Sequence, residues 1–292
     1  MPDRGVAGRA PISRRRFGAI ALAAVPALSG VAACGTGAPE GPRTVAYGSD
    51  PSQYGEFTAP IGLSAARGLV VLVHGGSWRS SFGLEPGRPL AAALVAAGWA
   101  TWNIEYRRIG NGGGWTATFD DVARATDHVR TFAGARIPAA NVYALGHSAG
   151  GHLATWLAAR PGLPPGSPGA RPQVRLAGVV SQAGILDLGS AARLGHRAVV
   201  DLVGGTPRTA PERYRIASPI ERLPLRVPTI CVHGTRDDTV PIAQSAVFVR
   251  RARAAGDRAE LVRVDGARHG DLIDVRTAGG RASLAAVDRI SA

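Results

Sequence analysis

The chain predicts an α/β fold, a mostly parallel, doubly wound sheet with helices on both faces. Two observations carry this expectation. Apolar runs such as Leu69-Val70-Val71-Leu72-Val73 and Val142-Tyr143-Ala144-Leu145 read as strands buried on both faces. Between such runs lie stretches with apolar residues at helical spacing, and strands alternating with helices imply parallel pairing. A third observation concerns chemistry: the residues able to perform it stand at the carboxyl ends of these strands, where ligands bind in open α/β sheets.

The elements follow in order. Residues 44–48 and 55–60 form an expected edge hairpin, and residues 69–73 the first buried strand. A helix over 89–97 leads to a strand over 100–104. Residues 118–132 carry Val122, Ala125, Val129 and Phe132 at helical spacing, with Asp120 and Asp121 at the positive end of the helix dipole. Strands are expected over 142–145, 176–182, 227–232 and 260–264. Helices are expected over 151–159, 240–255 and 281–290, with a short helical piece over 198–203. The proline-rich segment 161–172 is a surface loop. No stretch long enough for a large cap interrupts the alternation.

A chain of 292 residues with 45% hydrophobic content can bury a sizeable core, and no linker divides residues 43–292, which read as one domain. All 34 basic residues are arginine, and the formal net charge is +13; with abundant Ala, Gly and Pro, this reads as codon bias from a GC-rich genome more than selection for a polyanion. Nucleic-acid binding would require clustered basic runs with interleaved aromatics, and the sequence has none, so no nucleic-acid partner is expected. Residues 1–33 hold five Arg and one Asp, which leaves 29 basic and 20 acidic residues, +9, on the rest. That surplus suits an anionic membrane surface.

Residues 1–33 form a targeting segment. Ser13-Arg14-Arg15-Arg16-Phe17 resembles a twin-arginine export signal, and the uncharged stretch 18–33 after it is shorter than the ~20 residues of a membrane span. It ends in Val31-Ala32-Ala33-Cys34, which resembles a bacterial lipoprotein processing box. The other cysteine, Cys231, lies in an expected buried strand, so a disulfide between the two is disfavoured. Cys34 is therefore expected to carry a lipid anchor, residues 34–42 to be a tether, and the protein to sit on the outer face of the cell membrane. Simple secretion is the alternative.

Four motifs carry the chemistry. Gly146-His147-Ser148-Ala149-Gly150 sits at a strand-to-helix turn that lifts Ser148 clear of the sheet. His74-Gly75-Gly76-Ser77-Trp78 ends the first buried strand. His233-Gly234-Thr235-Arg236-Asp237-Asp238-Thr239-Val240-Pro241 and Gly266-Ala267-Arg268-His269-Gly270 end two later ones. Together, in the order donor loop, Ser, Asp, His, they resemble the α/β-hydrolase superfamily. Within it, His-Gly-Gly-x-Trp combined with Gly-His-Ser-Ala-Gly-Gly-His resembles the esterase and arylformamidase group.

That resemblance, which covers residue 43 to the C-terminus, implies the α/β-hydrolase fold and a Ser148–His269–Asp237 triad. Ser148 would be the nucleophile, His269 the base and Asp237 its orienting acid, with Asp238 and Asp187 as rivals for the last role. It also implies oxyanion donors in the backbone amides of Gly76, Ser77 and Ala149. Ser77 stands where lipases of the four-residue donor motif carry a third glycine. Trp78 and Trp115 are candidate walls of a substrate pocket. His74, His147 and His233 are expected to brace loops, His152 to pack behind Ser148, and His128 and His196 to lie on the surface. Their spacing is not that of a zinc set, and neither metal nor cofactor is expected.

The reading is a serine hydrolase cleaving carboxylic esters of small or medium acyl or aryl groups through an acyl-enzyme. An arylformamidase or small-peptide amide hydrolase with the same triad is the alternative enzyme. A catalytically silent surface-binding protein on the same scaffold is the alternative from another class.

Overall fold

The computed structural model describes residues 41–60, 66–132 and 140–292. The export signal, Cys34 and most of the tether lie outside the described residues. Eight strands form one sheet: β1 (Arg43–Ala46), β2 (Tyr54–Thr58), β3 (Leu69–Val73), β4 (Ala100–Ile104), β5 (Val142–His147), β6 (Gly178–Gln182), β7 (Thr229–Gly234) and β8 (Ala259–Val264). Their order is β1-β2-β4-β3-β5-β6-β7-β8. The β1–β2 hairpin joins β4 antiparallel, and all other pairings are parallel. The expected fold class is the observed one.

Why the central strands read as unbroken apolar runs is visible in β3. Leu69, Val71 and Val73 pack into the core on one face while Val70 and Leu72 pack into the core on the other. Full burial of each such side chain contributes about 1.5–3 kcal/mol. One face is covered by α1 (Arg88–Ala96) and α8 (Ala278–Ile290), through Leu90, Leu94, Ala286 and Val287. The other is covered by α2 (Ala117–Asp127), α3 (Ala149–Ala159) and α7 (Ala243–Ala254), through Phe119, Leu153, Trp156 and Phe248.

The β6–β7 connection differs from expectation. Where one helical piece is expected, it holds three short helices, α4 (Leu188–Arg193), α5 (Arg197–Val203) and α6 (Pro211–Ala217). Both additional helices have sequence signals: Asp187 caps α4 by accepting the Ser190 amide, and α6 opens on Pro211 and Glu212. The helix expected over 118–132 ends at Asp127 and continues as a tighter turn over His128–Thr131. His128 also departs from expectation: it is half-buried and stacks on Trp102 rather than lying free on the surface. Among the described residues no helix is long and apolar enough to cross a membrane, and no group of three or more His, Cys, Asp or Glu is placed to hold a metal ion.

Candidate active site

Ser148 sits between β5 and α3 with φ 55° and ψ −119°. A non-glycine residue is rarely found there, and the surrounding packing has to hold it. Gly146 and Gly150 make the turn possible: a Cβ on Gly146 would lie 2.1 Å from the Gly150 carbonyl oxygen, and one on Gly150 would lie 1.9 Å from that of Val73. The Ser148 amide donates to the Gln182 carbonyl at 2.8 Å, and its own carbonyl accepts from the His152 amide.

Asp237 and His269 come from the turns after β7 and β8. His269 Nδ1 lies 2.7 Å from Asp237 Oδ2. The other carboxylate oxygen accepts the amides of Thr239 and Val240 at 2.9 and 2.8 Å, and His233 Nε2 stands 3.3 Å from Oδ2. Burial raises the pKa of the Asp237 carboxyl, yet hydrogen bonds from His233, His269 and the two amides outweigh it and hold the group well below the ordinary carboxylate range. The side chain is therefore a fixed anion shielded from solvent. Asp238 is exposed and pairs with Arg268 at 3.4 Å, and Asp187 caps α4. Of the three candidate acids, Asp237 alone contacts His269.

Two couplings that sequence reading missed tie the turn carrying His269 to the turn that presents Ser148. Gln182 accepts the Ser148 amide on its backbone, while its side chain donates to the Leu272 carbonyl in the turn that carries His269. His147 donates Nε2–H to the His269 carbonyl at 3.0 Å, with the two rings 4.4 Å apart. Burial first, then the neighbouring His269, lowers the His147 pKa to about 4, so it is neutral near pH 7 and the Nε2–H tautomer fits this bond. Ser148 Oγ makes no hydrogen bond to His269 in this structure; such contacts tighten when substrate binds.

The donor loop winds through three consecutive positive φ values, 106° at Gly76, 52° at Ser77 and 55° at Trp78. Among the described residues no acceptor takes the amide hydrogens of Gly76, Ser77 or Ala149. Ala149 also stands at the N-terminus of α3, where the helix dipole favours negative charge. A Cβ on Gly75 would approach the Ser148 Cβ to 3.2 Å, so this loop lies directly against the turn that presents Ser148.

Trp78 differs from the expected pocket wall. It is wholly buried and packs edge-on against His152 at 5.3 Å, which makes it a core residue. Trp115 is partly buried, edge-on to Phe119, with the Arg213 guanidinium 5.9 Å from its ring. His152 fulfils its packing role: Nε2 bonds the Ala217 carbonyl, and burial lowers its pKa to about 4.

The segment following β4 holds the donor loop at three points. Glu105 Oε1 lies 2.9 Å from His74 Nε2 and 3.1 Å from Arg108 Nη1, all three side chains being buried. The Ile109 amide donates to Trp78 and the Ser80 amide to Ile109, a short parallel bridge, and Arg108 bonds the Phe82 carbonyl. The Tyr106 hydroxyl donates to the His74 carbonyl at 2.8 Å. The signal in the sequence was Asn103-Ile104-Glu105-Tyr106-Arg107-Arg108, charged groups directly after an apolar strand. Glu105→Gln removes the anion that joins His74 to the buried Arg108 and leaves that guanidinium uncompensated. It is expected to lower kcat on a soluble ester about tenfold or more with little change in KM, because displaced oxyanion donors act only in the transition state. A thermal-unfolding loss with kcat intact would show the network to be structural only.

Comparison with known proteins finds a matching family and several esterases. The BD-FAE family model matches residues 57–251. Esterase LipC of Mycobacterium tuberculosis (strain ATCC 25618 / H37Rv) is 30% identical over 252 residues, 80% of this chain and 60% of LipC. From the same organism, the probable carboxylic ester hydrolase LipM is 28% identical over 66% of this chain and 46% of its own length. The chain thus spans between about half and three-fifths of these relatives. A truncated carbohydrate esterase from gut microbiota superposes with a TM-score of 0.71 at 22% identity, covering 87% of this chain and 96% of that one. Esterase Est2 of Thermogutta terrifontis gives 0.69 at 23% identity, covering 85% and 92%.

Proposed function

The chain belongs to the BD-FAE family, an α/β-hydrolase esterase family, and from that premise we propose that it is a serine hydrolase acting on carboxylic esters of small or medium acyl or aryl groups. The observation that carries the proposal is the 2.7 Å contact between His269 Nδ1 and the buried Asp237, set beside a Ser148 held at positive φ. Asp237 fixes the tautomer in which His269 Nε2 is free to take the Ser148 proton. Ser148 Oγ then attacks the ester carbonyl, and the oxyanion forms against the open amides of Gly76, Ser77 and Ala149. His269 returns the proton to the departing alcohol, and water releases the acid by the same steps in reverse. No cofactor enters this scheme.

Labelling of the purified chain by a fluorophosphonate tests the nucleophile, and a panel of esters and anilides tests the leaving atom. The Est2 structures with butyrate and propionate bound make short acyl esters the first substrates to try. Turnover of anilides or formyl amides above the matched esters would replace this reading by the amide one. Absence of both labelling and acyl turnover in folded protein would favour the silent scaffold.

We further propose that residues 1–33 direct export by the twin-arginine route and that Cys34 is acylated, on the support of Ser13-Arg14-Arg15-Arg16-Phe17 and Val31-Ala32-Ala33-Cys34. Two or more acyl chains anchor a protein stably where one does not. The mature protein is therefore expected to resist salt and require detergent for extraction, and Cys34→Ala to lose lipid labelling. Wild-type protein recovered soluble and without lipid would refute the anchor and leave the hydrolase reading untouched.

A further inference from the structure

A parallel sheet has two unlike edges. The candidate active site stands at the carboxyl ends of the strands. The opposite edge, roughly 17–20 Å away along strands of five or six residues, collects every segment that enters a parallel strand. Arg175 precedes β6, Arg226 precedes β7, and Arg258 precedes β8. Arg130 follows α2 and Arg253 lies in the last turn of α7, both helices having returned to this edge. Arg43 joins them: it pairs with Phe57 near the end of β2, whose Thr58 pairs with Thr101 at the start of β4.

These six arginines are exposed, and among the described residues none is in an ion pair. Three carboxylates of this edge are taken up in ion pairs, and a fourth, Asp257, is held by backbone amides but keeps its charge, which leaves the arginines in excess. Asp127 holds the buried Arg160, Asp288 holds Arg67, Glu260 holds Arg289, and Asp257 accepts the amides of Leu225 and Arg226. At the other edge, unpaired arginines such as Arg193 and Arg208 are matched by unpaired carboxylates such as Asp50, Glu85 and Asp265. Codon bias alone would distribute arginine over both edges alike. The surplus is instead on one.

Two grooves open on the basic edge. One, of about 530 Å³, has an apolar floor that includes Val129, Phe132, Val142 and Leu176, with Arg130 and Arg175 among its lining. The other, of about 360 Å³, is lined by Arg253, Arg258 and Arg289 beside Pro228 and Ile290. The aromatics nearest this edge, Trp99, Phe132 and Tyr143, are buried, so there is no platform on which nucleic-acid bases would stack. Guanidinium groups beside shallow apolar grooves fit phosphate headgroups carrying acyl chains.

We propose that this edge docks on an anionic phospholipid bilayer and holds the active-site edge toward the aqueous side. Where the chain enters the fold agrees with that orientation. The nine Cα–Cα steps from Cys34 to Arg43 can span at most about 30 Å, so a lipid at Cys34 leaves this edge free to lie on the surface. That last point rests on the anchor reading, while the charge asymmetry does not.

The test uses the full chain with Cys34→Ser, which removes the anchor from the measurement. It is sedimented with vesicles of phosphatidylcholine alone or mixed with phosphatidylglycerol. Binding is expected only to the anionic vesicles and is expected to fall steeply with salt. The triple variant Arg175→Ser, Arg226→Asn, Arg258→Ser removes side chains that hold no hydrogen bond among the described residues, Arg226 bonding through its backbone amide alone. Each arginine near such a surface is worth about fivefold, so partition should drop roughly a hundredfold. Turnover of a soluble ester should be unchanged.

A control triple on the opposite edge, Arg193→Ser, Arg197→Ser, Arg208→Ser, should reduce partition far less. Equal losses from both triples would show a mere net-charge effect and overturn the docking face. So would absence of binding to anionic vesicles, or tighter binding to single-stranded DNA than to vesicles. Lipid-free wild-type protein with vesicle binding by Cys34→Ser intact would sink the anchor alone.

Discussion

Ser148→Ala is expected to abolish turnover of any ester the enzyme accepts, by on the order of a thousandfold or more, and His269→Ala to do the same. In the proposed mechanism the two groups form one proton-transfer path, so the loss of either would leave only binding and oxyanion stabilisation. The Ser148 substitution has a second expected consequence. Ser148 occupies φ 55°, a region that alanine also tolerates poorly, so removing the hydroxyl relieves no strain and adds none. The melting temperature should stay close to that of the wild type. Retention of more than about a tenth of wild-type activity in folded Ser148→Ala protein, checked by circular dichroism, would refute the mechanism.

Asp237→Asn should be nearly as damaging as loss of the nucleophile, and Asp238→Asn nearly silent. The difference lies in what each carboxylate touches. Asp237 is buried, receives two amides and faces His269 Nδ1 at 2.7 Å. An asparagine there keeps the shape but offers an NH₂ group to the histidine, favouring the tautomer whose Nε2 carries the proton and is useless as a base; about a ten-thousandfold fall in kcat is the scale of such a change. Asp238 is exposed and paired only with Arg268, an arrangement worth under about 1 kcal/mol. Equal effects from the two substitutions, or a larger one from Asp187→Asn, would overturn the assignment of the acid. Asp187 caps α4, a role asparagine also fills, so Asp187→Asn should be nearly silent and Asp187→Ala should appear as a stability loss of about 1 kcal/mol.

The fold class was legible because burial on both faces leaves a plain trace. Five consecutive apolar residues at Leu69–Val73, with helical periods on either side, match a strand covered by helices on both faces. The short helices between β6 and β7 were less legible. At six or seven residues, α4 and α6 are too short for a periodic apolar pattern to emerge, and only their caps marked them. Trp78 shows the same limit in a single side chain. A tryptophan beside a donor loop reads equally as pocket wall or core, and its burial against His152 decides between them.

What the sequence determined by itself was local: a sharp turn that presents Ser148, a glycine-rich loop after β3, and the acid and histidine motifs at later strand ends. Glycine spacing and strand patterning are properties of neighbouring residues, so they can be read along the chain. What only the tertiary structure decided was which distant groups meet. The meeting of Asp237 with His269 at a separation of 32 positions, the reach of Gln182 to Leu272 across 90, and the Glu105 bridge from Arg108 to His74 depend on strand order. The same holds for the gathering of Arg43, Arg130, Arg175 and Arg258 on one edge. Parallel pairing places every strand start on one side and every strand end on the other, and no local pattern records which residues that alignment brings together.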